Sequence, residues 1–405
     1  MAETSKRILQ KFVFIAFIFS FLLINCGKKE DTQTEENKTS GNETFNKDTM
    51  TSEKDSLISD RKFMLNDFYT NNPLLDNKVN KIFNSLSDDE RISQMIMTSA
   101  GTNGLPEEKV NSLIRKKQIG GIIILGGIIN TQIELRKKFA ETSEKSGGLP
   151  LIFASDAEIS LINRKIPGLK TTFPKANEIK DEKKCVEYAK IISDILRQTG
   201  IQINFAPVVD AGFNKEIIGD RSFGTDSEKI IKLSNAFIKE TQKNNIAACV
   251  KHFPGHGNVT GDSHKGLPVI KGEMKELQTF EKVIKESGVL LVMVGHIAVN
   301  GKEYNTEGMP ASLSGKIITD LLKQKMNFNG LVITDAMNMG ALNNFSKPSL
   351  SAVKAGCDII LMPTGEETLL NSIKEQINKD ENLKQQVYNS VKKIIRLKIC
   401  SEVIN

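Results

Sequence analysis

Residues 247–264 read Ala-Ala-Cys-Val-Lys-His-Phe-Pro-Gly-His-Gly-Asn-Val-Thr-Gly-Asp-Ser-His, a short apolar strand that runs straight into polar chemistry. Three of the chain's four histidines fall in this stretch. A buried strand that ends in Lys251, His252, Pro254 and Gly255, with Asp262 and His264 just beyond, delivers reactive groups to the rim of a sheet. The rest of the chain says which sheet.

Similar apolar, β-branched runs occur at 94–98, 119–125, 151–156, 203–210, 290–296, 331–335 and 358–362. Between them lie charged segments with helical apolar spacing, such as 229–241 with Ile230, Ile231, Leu233, Phe237 and Ile238. Continuously apolar strands alternating with helices predict a parallel sheet covered on both faces. With the 247–253 strand the runs number eight, enough to close a barrel. The expected fold is therefore α/β, a single (β/α)8 TIM-type barrel. Beyond residue 365 the chain reads as helices only, with no second sandwich domain. Asp156, Asp210, Lys251 with His252, His296 and Asp335 all stand at or just past the C-terminal ends of expected strands. An aspartate there often only caps the next helix. Five strands ending in Asp, Lys or His point instead to one shared site at the face where barrels build them.

The flanks have a different character. Lys6, Arg7 and Lys11 precede an apolar run from Phe12 to Ile24, followed by Asn25 and Cys26. That run is short of the ~20 residues a spanning helix needs and suits a signal-peptide core. The alternative is an uncleaved anchor helix. Basic start, apolar core and terminal cysteine resemble a bacterial lipoprotein signal. That implies a signal peptide over 1–25, a lipidated Cys26, and a body held outside the cytoplasmic membrane, in the cell envelope. Asn25 departs from the small residue usual before such a cysteine. Residues 26–72 are polar and charged, the composition of a flexible tether, and 73–405 make up the barrel with its C-terminal helices.

Composition narrows the partners. Hydrophobic residues make up 39% and charged ones 26% of the 405, enough apolar content for a sizeable core. The net charge of +6 is spread along helices without a dense basic block and interleaved aromatics, which argues against nucleic acid. No tryptophan and only four tyrosines argue against a long-polysaccharide platform. The membrane is expected to be touched only through the lipid, and the body to be a monomer. Cys185, Cys249, Cys357 and Cys400 have no metal-like spacing and read as buried thiols.

Three chemistries can be tested on the central stretch. His252 and His256 have the i, i+4 spacing of a zinc helix, but Pro254 and Gly255 between them break a helix, so no metal is expected. No Gly-x-Ser-x-Gly elbow is present, which disfavours a serine nucleophile, Ser263 included. Acid/base work remains: Asp262 can orient His264 and raise its proton affinity. Asp335, at the end of a buried strand, is rigid enough to be a carboxylate nucleophile, or else merely caps the helix that follows. Nucleophile plus loop-borne histidine suits two-step, retaining glycosyl transfer.

These residues resemble glycoside hydrolase family 3, in its single-domain bacterial β-N-acetylhexosaminidase form. The similarity runs from about residue 90 to 365, carried by Lys251–Gly257 with Asp262-Ser263-His264, and supported by 203–210, 220–223, 333–339 and 355–363. The resemblance implies Asp335 as nucleophile and His264 as acid and base, partnered by Asp262. It implies Asp156, Arg164, Arg221, Lys251 and His252 as the groups that hold the terminal sugar. The implied substrate is a small glycan with β-linked N-acetylglucosamine, such as a peptidoglycan fragment, and no cofactor is implied. A non-catalytic glycan-binding lipoprotein and a β-glucosidase or β-xylosidase are the alternatives. Two departures stand out. The family's Gly-Gly after the third strand is Ile159-Ser160 here, so a turn that tolerated positive φ must be rebuilt or strained. Ala336 replaces the second acid of an Asp-Asp pair.

Overall fold

In the computed structural model, which describes residues 62–259 and 262–404, the eight apolar runs become eight parallel strands. They are β1 (Ile96–Ala100), β2 (Gly121–Ile124), β3 (Ile152–Ser155), β4 (Ile203–Asn204), β5 (Ala247–Phe253), β6 (Leu291–Val294), β7 (Leu331–Thr334) and β8 (Ile360–Leu361). The sheet order is β7-β6-β5-β4-β3-β2-β1-β8, so neighbours in sequence are neighbours in space. The two end strands meet through a parallel bridge between Ile333 and Ile359. Asp358, 1% exposed, fastens that seam. Its carboxylate accepts from the Val332 N–H at 2.7 Å, from Ser390 Oγ at 2.7 Å and from Lys323 Nζ at 3.0 Å. The expected (β/α)8 barrel is what forms.

The helices between strands start and stop where short polar residues allow. Asp181, Asp226 and Asp380 cap the helices Glu182–Thr199, Ser227–Lys243 and Glu381–Cys400, each accepting a backbone N–H three residues on at 2.9–3.0 Å. Gly200 ends the first of these in a left-handed cap with φ 72°. The predicted face of Ser227–Lys243, with Ile230, Ile231, Leu233, Phe237 and Ile238, is buried against the barrel. Each such side chain contributes about 1.5–3 kcal/mol relative to exposure. After β8 the chain forms Glu366–Ile377 and Glu381–Cys400. Cys185, Cys249, Cys357 and Cys400 are buried free thiols.

Three expectations need correcting. The first strand begins two residues late, because Ser87 and Glu90 form a capping box that carries the helix Asp88–Ser93 into the expected start. The fourth strand's regular pairing ends at Asn204, ahead of Pro207, which has no N–H to give. The chain still follows β5, with the Val209 N–H on Lys251 O at 2.9 Å. Lastly, residues 62–72, placed in the tether, are packed on the barrel. Phe63, Leu65 and Phe68 are buried, and the Arg396 guanidinium donates to the carbonyls of Phe68 at 2.6 Å and Thr70 at 2.6 Å. These three buried apolar groups and the Arg396 bonds dock the segment. The expected signal peptide, Cys26 and the tether as far as residue 61 lie outside the described residues.

Candidate active site

The C-terminal ends of β3, β5 and β7 open into a pocket of about 620 Å³. Asp156, Arg164, Arg221, Lys251, His252, His264 and Asp335 all line it. Asp262 stands behind His264 and completes the set expected from sequence.

Asp335 follows β7 by one residue, and its backbone is held in place by neighbouring strands. Its N–H donates to Val294 O at 2.9 Å, and its Oδ1 accepts the Ala336 N–H at 2.8 Å. Burial opposes ionisation, yet the field of His252 and His296, with the Ala336 N–H, holds the carboxyl below its ordinary value. Asp335 is therefore an anion at neutral pH. Ala336, where a second acid was absent, has its own task. Its carbonyl accepts from His296 Nε2 at 3.0 Å, while His296 Nδ1 faces Ser312 Oγ at 2.7 Å. His296 is fully buried, which lowers its pKa against the opposing pull of Asp335, and its Nε2 donates to that carbonyl. It clamps the backbone next to Asp335.

The floor is a buried charge cluster that sequence showed only in part. Lys251 Nζ, 3% exposed, pairs with Asp156 and, at 2.6 Å, with Glu158. The Arg221 guanidinium spans both Glu158 oxygens at 2.9 and 2.7 Å. Lys165 also pairs with Asp156. Burial works against the charges of Asp156, Glu158, Lys251 and Arg221. For Asp156 the Lys165, Lys251 and Arg221 cations outweigh it, and the carboxyl falls well below its ordinary range. Glu158 falls too, held by Lys251 and Arg221, while Asp156 and Glu158 raise Lys251 in turn. Arg164, expected to grip the sugar, is exposed and lines the mouth; its neighbour Lys165 takes the inner position. Successive residues on a one-turn helix point different ways, so spacing alone could not separate them.

Ile159-Ser160 rebuilds the turn without strain, since neither residue has a positive φ. Ile159 is buried. Ser160 Oγ donates to Asp220 O at 2.7 Å and accepts the Ala176 N–H at 2.7 Å, tying the turn to two other loops.

Two more histidines, His252 and His256, hang on Asp210, fully buried past β4. Its Oδ2 accepts His252 N–H at 2.9 Å and Nδ1–H at 2.6 Å; its Oδ1 accepts His256 N–H at 2.7 Å. That leaves His252 Nε2 as the free nitrogen on the pocket side. In the loop beyond, Asp262 Oδ1 accepts both the His264 N–H at 2.8 Å and Nδ1 at 2.9 Å. The Asp262 carboxyl, with burial opposing, is lowered by these two bonds and by the nearby charge of His264. With Nδ1 committed to Asp262, His264 presents Nε2, on an imidazole that is 64% exposed. Ser263 between them is buried; its Oγ meets His256 Nε2 at 3.2 Å, and its carbonyl accepts the Ala341 N–H at 3.1 Å. The loop is thus docked against the turn that follows Asp335.

Strand-end carboxylates, buried cations and a histidine-bearing loop thus meet around one pocket of the barrel. The family follows from sequence. The model of the glycosyl hydrolase family 3 N terminal domain matches residues 87–397, and the chain belongs to that family. Beta-hexosaminidase A of Pseudoalteromonas piscicida is 32% identical over 296 residues, covering 65% of this chain and 49% of that protein. A beta-hexosaminidase of Photobacterium profundum is 30% identical over 271 residues, covering 64% and 79%. Among solved structures, a glycoside hydrolase family 3 beta-N-acetylglucosaminidase from Paenibacillus sp. superposes with a TM-score of 0.70 at 29% identity, covering 79% of this chain and 63% of that one. The chain thus spans about half the first of these relatives and about four fifths of the second.

Proposed function

We propose that this chain is a retaining exo-β-N-acetylglucosaminidase that removes terminal β-linked N-acetylglucosamine from peptidoglycan fragments or related glycans. One observation carries the reading: a rigid, ionised Asp335 and the loop-borne His264, oriented by Asp262 behind it, face the same pocket. In the first step an Asp335 oxygen attacks the anomeric carbon as the bond to the leaving oxygen breaks. Protonated His264 gives that oxygen its Nε2 proton, and Asp262 stabilises the imidazolium while it lasts. In the second step water attacks the glycosyl ester, His264 takes the water's proton, and Asp335 leaves as carboxylate. Asp156, Arg221, Lys251 and His252 hold the sugar through hydrogen bonds to neutral oxygens, and Arg164 reaches it from the mouth. The relatives' names, which are those of hexosaminidases, support the N-acetyl preference. The loss of the two glycines was the feature favouring a non-catalytic binder, and Ser160 accounts for it. The lipoprotein signal belongs to the same proposal and rests on residues 6–26. It places the body outside the cytoplasmic membrane, attached through Cys26.

The test is release of nitrophenol from the β-N-acetylglucosaminide by a fragment starting ahead of Phe63. Turnover that vanishes in Asp335→Asn, with folding intact, supports the nucleophile. A preference for the glucoside sinks the N-acetyl assignment. His264→Ala is expected to lose on the order of 10²-fold or more in kcat/KM on natural glycans. It should lose far less where the leaving group needs no proton. Equal losses count against His264 as the acid.

A further inference from the structure

Glu276 belongs to no motif, yet it sits under the most functional loop of the molecule. It immediately precedes the helix Leu277–Ser287 and is 5% exposed. Its Oε1 accepts the N–H of Ala211 at 2.6 Å and of Gly257 at 3.1 Å; its Oε2 accepts the N–H of Asn258 at 3.1 Å. Those donors come from two different loops. Ala211 follows Asp210, the carboxylate that orients His252 and His256. Gly257 and Asn258 begin the segment that ends in Asp262, Ser263 and His264. The contact is close enough to dictate residue size: a Cβ on Gly255 would stand 2.7 Å from Glu276 Oε2, and one on Gly257 would overlap the Ala211 carbonyl. At its far end the same loop is held by Ser263, through His256 and Ala341.

We propose that Glu276 is the positioning residue of the acid/base loop, gripping the amides of Gly257 and Asn258 and so fixing where His264 stands in the pocket. The inference rests on the reading of Asp262 and His264 as the acid/base pair. A carboxylate is the right group because it carries acceptors on both oxygens. An isosteric amide would keep Ala211 and Gly257 on its oxygen but set its own N–H₂ against the Asn258 N–H, donor against donor. The chemistry is kept at a cost to the group itself, since burial and the neighbouring Asp210 charge push the Glu276 carboxyl up to about 7. A residue serving only to fill space would be better neutral and apolar.

The test uses Glu276→Gln and Glu276→Ala in the whole chain, with two readouts. Amide hydrogen exchange is expected to speed up across residues 255–259 and 262–266 in both variants, more in Ala than in Gln, with the barrel strands unchanged. Unchanged protection there overturns the proposal, whether or not the protein is active. The second readout is kcat/KM on an alkyl and on a dinitrophenyl β-N-acetylglucosaminide. The alkyl substrate, which needs the acid, is expected to fall about tenfold or more, and the activated one under about threefold. Equal falls on both mean that Glu276 supports the fold alone, and overturn it. A wild-type protein that turns over neither substrate defeats the proposed function, and the exchange measurement still decides the grip.

Discussion

Lys251 and Lys398 are both buried, at opposite ends of the same barrel, and are kept there by opposite means. Lys251, at the C-terminal end, is matched by Asp156 and Glu158, which raise its pKa and keep it charged. Lys398, at the end where strands begin, meets no carboxylate among the described residues. Its Nζ donates to Gln94 Oε1 at 2.6 Å and Pro150 O at 2.7 Å, and burial lowers it to about 7. The site end holds permanent charge in a fixed network. The opposite end uses the same side chain as a hydrogen-bonding plug that can shed its proton. A buried lysine therefore marks function only through its partners.

Substitutions can break this contrast. Lys251→Met is expected to have the largest effect, because it leaves Asp156 and Glu158 buried with one cation fewer. A loss of about 3–5 kcal/mol in denaturant unfolding is expected, together with loss of turnover. A drop of under about 1 kcal/mol would mean that Lys165 and Arg221 carry the cluster without it. Ser160→Ala removes the hydroxyl that satisfies the Ala176 N–H, and should cost about 1–3 kcal/mol with weaker substrate binding. An unchanged KM would detach that turn from the pocket. Lys398→Met should be the mildest, within about 1 kcal/mol at pH 7 and with activity retained. Its signature lies in pH. Lys398 binds its proton less well folded than unfolded between about 7 and its ordinary 10.5, so its contribution to stability rises with pH across that window. Melting curves from pH 7 to 10 should show that rise reduced in the methionine variant, and no difference would refute the lowered pKa.

The legible parts of this chain were those governed by local pattern. β5 begins and ends where the Ala247–Phe253 run predicts, and Asp156, Lys251, His252 and Asp335 stand at strand ends because period and burial place them there. Glu158 and Glu276 were not legible, because each is a lone charged residue whose partners come from distant loops, and Lys165 was not because only the direction of its one-turn helix sets it apart from Arg164. Glu158 meets Arg221 across 63 positions and Lys251 across 93, and no periodicity encodes that. Ser160 misled in the other direction. Losing two glycines reads as damage until the hydroxyl's two bonds are seen. Phe63, Leu65 and Phe68 do not stand out in composition because they close a long stretch that is mostly polar.

The pocket floor has one more consequence. In that floor Lys165, Lys251 and Arg221 pair with Asp156 and Glu158, and the Asp335 carboxylate on the same pocket adds a third anion within the field of Lys251. Such a floor neutralises itself and needs no mobile ions from solution. A neutral sugar that enters exchanges water for hydrogen bonds and displaces no counterions. Its affinity should therefore be nearly indifferent to ionic strength, because fixed charges at contact distance in a buried site are scarcely screened by salt.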